Sequence, residues 1–100
     1  MVKHVLMWRI KEAAEGRSKE ENVAICTNAV NGLRDRIDLI RGLEVGRNFA
    51  QVASAYDLVI TVEFDSREDF AKYLDHPAHK HVGEVVSPLR SDSAVVDYEA

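Results

Sequence analysis

The chain has a single cysteine, Cys26, and only two prolines in its 100 residues. One thiol cannot make an internal disulfide, and it suits a reducing compartment, so a cytoplasmic protein is expected. No stretch approaches the ~20 consecutive apolar residues of a membrane span. Val2–Ile10 carries His4 and Arg9 and is followed by no small-residue cleavage site, so it is not read as a signal peptide. Positive charge is not in excess: 13 Lys and Arg stand against 17 Asp and Glu, for a net charge of −4. The basic residues form no stripe and no RNA-binding motif, so neither a nucleic acid nor a membrane is expected as a partner. There is no glycine-rich phosphate loop, no GxSxG elbow and no nucleotide motif. What remains is a soluble globular composition, 46% hydrophobic and 30% charged, with length for one domain, residues 1–100. A chain this short buries only roughly two-thirds of its unfolded surface and gains from a partner.

The hydrophobic pattern switches period along the chain. In Lys3–Lys11, His4, Leu6, Trp8 and Ile10 alternate with Lys3, Val5, Met7, Arg9 and Lys11, the period of a strand. Glu12–Arg17 reads as a polar loop around Gly16. Ser18 and Glu21 then match a capping box, and Val23, Cys26, Val30, Leu33 and Ile37 form a helical stripe. Cys26 lies on that stripe, which marks it as a core residue. Gly32 interrupts the helix at a cost of about 1 kcal/mol against Ala, which close packing on a sheet would explain. Ile40–Val45 reads as a short strand ended by Gly46, with a loop over Arg47–Ala55. Tyr56–Phe64 is the strongest strand, with Leu58, Ile60, Val62 and Phe64 on one face. Ser66 caps a second helix that buries Phe70, Tyr73 and Leu74. That helix breaks at His76-Pro77, because the residue before proline is pushed to extended backbone and proline favours a first helical turn. Val82, Val85 and Val86 belong to the restarted piece, Pro88 ends it, and Ala94–Tyr98 is the last strand.

The order β-α-β-β-α-β is that of a ferredoxin-like α+β fold, both helices covering one face of a four-stranded antiparallel sheet. The bulkier face, with His4, Leu6, Trp8, Ile10, Leu58, Ile60, Val62 and Phe64, is expected under the helices. Val5, Met7, Val59 and Val95, mixed with Arg9, Thr61, Glu63 and Asp97, are expected on the other. An apolar patch of that kind marks an interface, and the economical partner is a second copy, giving a homodimer through the helix-free sheet face.

Three of the four histidines fall in the run His76-Pro77-Ala78-His79-Lys80-His81. In an unbroken helix Tyr73 and His79 would point about 120° apart; the break allows both to face one cavity, with His4 lining it from strand one. Tyr, His and His on an apolar cavity make an acid/base set, since imidazole titrates near neutrality and a tyrosine can donate to a developing oxyanion. The plainer reading is three polar tips hydrogen-bonded in a small core. His76 and His79 are also neighbours on a helix, as zinc ligands would be, but no cysteine joins them and His81 is expected in solvent, so no metal and no other cofactor is assigned. Leu6, Trp8, Leu58 and Ile60 are the expected apolar lining. Arg90, before the last strand, is placed at the cavity mouth, where it would attract an anion, so a small hydrophobic or anionic ligand is expected. The plainer role for Arg90 is a surface cation.

Lys3-His4-Val5, Leu43-Glu44-Val45-Gly46-Arg47-Asn48, Tyr56-Asp57-Leu58-Val59, Phe64-Asp65-Ser66, Tyr73-Leu74-Asp75-His76-Pro77-Ala78-His79 and Val96-Asp97-Tyr98 together resemble the stress-responsive A/B barrel (Dabb) family. The likeness runs through nearly the whole chain, and Tyr-x-x-His-Pro-x-His is its most specific part. It implies ferredoxin-like subunits paired as a dimeric α+β barrel. Many members of the family have no assigned activity. In a cofactor-free polyketide-cyclising enzyme of this type, the catalytic Tyr and His match Tyr73 and His79, and a strand-one His matches His4. The resemblance is looser at Cys26 and Thr27, where that enzyme carries aromatics, at Leu58, where it has a His, and at Arg90, where it has a Trp. A cofactor-free cyclase or lyase acting on a carbonyl compound is therefore expected. His79 would be its base, Tyr73 its oxyanion donor and His4 its positioning group. A non-catalytic ligand-binding or stress-stability homodimer and a cofactor-free monooxygenase are the alternatives.

Overall fold

The computed structural model describes all residues, Met1–Ala100. Its elements are β1 (Val2–Ile10), a small hairpin of β2 (Ala13–Ala14) and β3 (Arg17–Ser18), α1 (Lys19–Asn31), β4 (Gly42–Arg47), β5 (Leu58–Phe64), α2 (Arg67–Asp75), α3 (Pro77–Val86) and β6 (Arg90–Glu99). The four long strands form an antiparallel sheet in the order β4-β5-β1-β6. The helices cover one face, which is the ferredoxin-like arrangement expected from the alternation of elements. No helix is long and apolar enough to cross a membrane.

The central strands carry the core. Their register pairs His4 with Val62, Leu6 with Ile60 and Trp8 with Leu58, so the bulky alternating sets lie side by side. Val2, His4, Trp8 and Ile10 are buried, and so are Leu58, Ile60, Val62 and Phe64. Every residue of the expected α1 stripe is buried, Val23, Cys26, Val30, Leu33 and Ile37 alike. Ser18 makes the full capping box: its hydroxyl accepts the Glu21 N–H, and the Glu21 carboxylate accepts the Ser18 N–H.

The polar stretch after β1 is more ordered than a loop. Glu15 and Gly16, at φ 54° and 73°, turn the β2–β3 hairpin; two successive positive φ angles are the signature of a type I′ turn. Fully buried Asn22 joins this hairpin to α1, accepting from Arg17 Nε at 2.8 Å and donating to the Ala14 carbonyl at 3.1 Å. Asp57 joins three segments. It accepts the Ile10 N–H at 2.7 Å and faces Lys19 Nζ at 3.3 Å. Its backbone N–H donates to the Trp8 carbonyl at 2.9 Å.

Four expectations are corrected. The second long strand spans Gly42–Arg47, not Ile40–Val45, because Gly46 lies inside it, where its missing side chain accommodates Val59. Leu74 is 39% exposed: it follows Tyr73, which takes the inward position of α2. Val95 and Asp97 lie on the helix-side face, paired with Leu6 and His4, so Val96 and Tyr98 complete the open face. Gly32 is not a close-packing position. It stands where α1 gives way to a 3-10 turn (Gly32–Asp35), and an added Cβ there would meet nothing within 4 Å.

The two glycines should respond differently to alanine. Gly32→Ala is expected to stabilise the fold by about 0.5–1 kcal/mol, by restricting the unfolded chain. Gly46→Ala should bring no such gain, because its Cβ would lie 3.0 Å from Val59 Cγ1. Urea unfolding of the two variants checks the ordering; an equal gain at both positions would contradict it.

Candidate active site

The break between α2 and α3 builds the site. His76 is at once the C-cap of α2 and the N-cap of α3, with extended backbone at ψ 136°. Pro77 supplies the first helical position, and His76 Nδ1 accepts the Ala78 N–H at 3.0 Å. The turn brings the Tyr73 and His79 rings to 4.6 Å between centroids. Tyr73 also packs on Phe64 at 4.8 Å and lies 6.3 Å from the His4 ring, which is 4.9 Å from Phe70.

The His4, Tyr73 and His79 rings line a cavity of about 270 Å³ between helices and sheet. His4, Leu6, Trp8 and Ile60 form its floor, Tyr73, His79, Val82 and Gly83 one wall, and Val30 and Leu33 of α1 and its 3-10 extension another, with Arg90 completing it. Two buried polar atoms in this lining have no hydrogen-bond partner, Trp8 Nε1 and His79 Nδ1. Most buried polar groups in folded proteins are paired, so both are available to a bound molecule.

The electrostatics separate the roles of the side chains. Burial holds the His79 imidazole below its usual value, helped by His4 and opposed by the nearby Leu74 carbonyl. Burial therefore favours the neutral form of His79, which keeps a lone pair. Burial pushes the Tyr73 hydroxyl up to about 12, so it keeps its proton as a donor. His4 Nδ1 is held by a short hydrogen bond to Asp97 Oδ1, so Nδ1 carries a hydrogen in either charge state and Nε2 is the nitrogen left to the interior. Burial raises the Cys26 thiol, which keeps it an inert core residue.

Of the residues singled out in the sequence, His4, Leu6, Trp8, Ile60, Tyr73, His79 and Arg90 meet at this cavity. Leu58 does not. It is fully buried one register step beyond Ile60, opposite Trp8 and Arg47, and belongs to the core proper. The remaining histidines are elsewhere: His76 is spent on the cap and His81 is exposed. No group of three or more His, Cys, Asp or Glu side chains is gathered as metal ligands would be. Asp97 was missed as a partner of His4. The register that opposes it to His4 is set by pairing along all of β1, including the irregularity between Arg9 and Ile10.

The fold and this side-chain set define a ferredoxin-like subunit with a cavity lined by a tyrosine, two histidines and an arginine. The Stress responsive A/B Barrel Domain (Dabb) model matches residues 2–100, and the chain belongs to that family. It is 28% identical to olivetolic acid cyclase of Cannabis sativa over 97% of this chain and 94% of that protein. A dimeric protein of unknown function and ferredoxin-like fold from Bacteroides fragilis superposes with a TM-score of 0.84 at 27% identity, covering 99% of this chain and 95% of the other. Hydroxynitrile lyase from Passiflora edulis has the same fold, with a TM-score of 0.81 at 16% identity over 97% and 90% of the two chains.

Nitrogen-15 NMR of the imidazoles should find His4 with its hydrogen on Nδ1, the less common form of a free neutral imidazole. Asp97→Ala should release that preference while leaving His76 unchanged. A His4 ring protonated only on Nε2 in the wild type would contradict the pairing.

Proposed function

We propose that this protein is a cofactor-free acid/base catalyst of the cyclase or lyase type, acting on a small carbonyl compound. The observation that carries the reading is the unpaired, buried Nδ1 of a neutral His79, set in van der Waals reach of a protonated Tyr73 on one apolar cavity. His79 takes a proton from the carbon next to the carbonyl, or from a hydroxyl whose oxygen becomes a carbonyl as the adjacent carbon–carbon bond breaks, the electron pair leaving on a stabilised carbanion that the imidazolium reprotonates. Tyr73 donates to the oxygen on which charge develops. His4, held by Asp97, fixes the second polar corner of the cavity. The names of two relatives support this reading, since a cyclase and a lyase stand on the same scaffold.

The working unit in this reading is a cytoplasmic homodimer of single-domain subunits, joined through the helix-free sheet face. Met7, Val59, Val96 and Tyr98 are exposed apolar or aromatic residues on that face, and a relative of the same fold is dimeric.

Solvent-deuterium exchange next to the carbonyl of small aldehydes and β-diketones, and aldehyde release from cyanohydrins, both followed by proton NMR, test the chemistry. Loss of His79 (His79→Ala) is expected to lower the rate by about 10²–10⁴, and Tyr73→Phe by about 10²–10³. Exchange at the wild-type rate in His79→Ala would remove His79 as the base, and none above buffer across the panel would favour a non-catalytic ligand-binding protein.

The pH profile follows from the two directions of shift. The base works when neutral and its pKa is lowered, so the acid limb of kcat/KM should fall below the ordinary imidazole value of 6.5, with a plateau through neutrality. The donor works when protonated, so Tyr73 should impose no alkaline limb until about 12. An acid limb above 6.5 would exclude His79 as the base.

A further inference from the structure

We propose that Arg90 is a carboxylate anchor, and that the cavity takes a small apolar carbonyl compound bearing one carboxylate. The proposal rests on the acid/base reading of the same site and names the substrate class it serves. Arg90 is the only Lys, Arg, Asp or Glu among the residues lining the cavity. It forms no ion pair within the chain. Its guanidinium lies 5.7 Å from the Trp8 ring centre, against the indole rather than against a carboxylate. The Trp8 side chain is 6% exposed and its Nε1–H has no acceptor.

Two kinds of donor therefore converge on one apolar cavity with no acidic group facing them. A guanidinium presents a fixed fork of N–H groups that matches a carboxylate, and such charge-assisted bonds are roughly twice as strong as neutral ones. The indole N–H adds a further donor on the same wall. Tyr73 and His79 lie on the α2–α3 side of the cavity, so a ligand held by its carboxylate at Arg90 offers its carbonyl to them. The volume limits its size. About 270 Å³ is below the ~300–1,000 Å³ of sites for drug-sized ligands, which fits one short chain or one ring between the two ends.

Trp8 is the only tryptophan in the chain, so its fluorescence reports occupancy of the cavity without turnover. Phenylpyruvate and phenylpyruvamide, alike in shape and differing in the carboxylate, are the probes. The wild type is expected to bind the acid at least tenfold more tightly than the amide. Arg90→Met should abolish that preference, and Arg90→Lys should retain part of it. Circular dichroism melts establish that both variants fold, and the Lys variant alone suffices if the Met variant does not. Equal affinity for the two probes in the wild type, an acid preference that survives in Arg90→Met, or no saturable Trp8 response to either probe overturns the proposal. A carboxylate preference with no exchange activity would keep the anchor and remove the catalytic reading. Exchange activity blind to the carboxylate would do the reverse.

Discussion

The site depends on one constraint, the interruption of helical geometry at His76-Pro77. A proline within a helix removes a hydrogen bond and its ring collides with the preceding turn. Here that conflict is resolved by ending one helix and starting the next on a shared residue. His76 closes the gap in hydrogen bonding by accepting the first free N–H of α3 on its own ring. The break redirects α3 so that the Tyr73 and His79 rings lie 4.6 Å apart. A continuous helix would have turned them away from each other, leaving one unpaired polar ring in the core and the other in solvent.

The histidines show how far environment, rather than residue type, sets chemical role. His76 serves the backbone, His4 is tied to a carboxylate, and His79 lines the cavity with its Nδ1 unpaired. His4 is left with Nε2 towards the interior. The scaffold is indifferent to this division: sheet and helices would persist with an apolar cavity, and folds of this kind carry function in sites grafted onto them. What distinguishes this chain is the charge at the far wall, where Arg90 stands over Trp8.

Much of this was legible in the sequence because strong local signals agreed with the tertiary packing. The α1 stripe, both serine caps, the proline break and the alternation of β1 and β5 each stated their own burial. The site set of His4, Tyr73, His79 and Trp8 followed from inward parity plus the break, and Arg90 from its place before the last strand. The signal failed where burial is one-sided or weak. β6 is an edge strand, mostly exposed on both faces, so alternation carries no information there, and its parity rests on pairing with β1 that no local pattern reveals. Asp97 was lost to the site for that reason. In β4, Gly42 and Gly46 look like terminators, yet cross-strand pairing with β5 overrides propensity. Leu58 has the right face and the wrong register, a distinction that needs the neighbouring helix in place.

The open sheet face has a thermodynamic consequence. A core of this size, capped on one side only, leaves Met7, Val59, Val96 and Tyr98 in water, and the outer edges of β4 and β6 carry backbone groups with no strand beside them. With a second copy over that face, folding and association become one equilibrium, and the melting temperature acquires a dependence on protein concentration by mass action. For such a dimer dilution would act as a denaturant, and the cavity on the opposite side of the sheet would share its dependence on concentration.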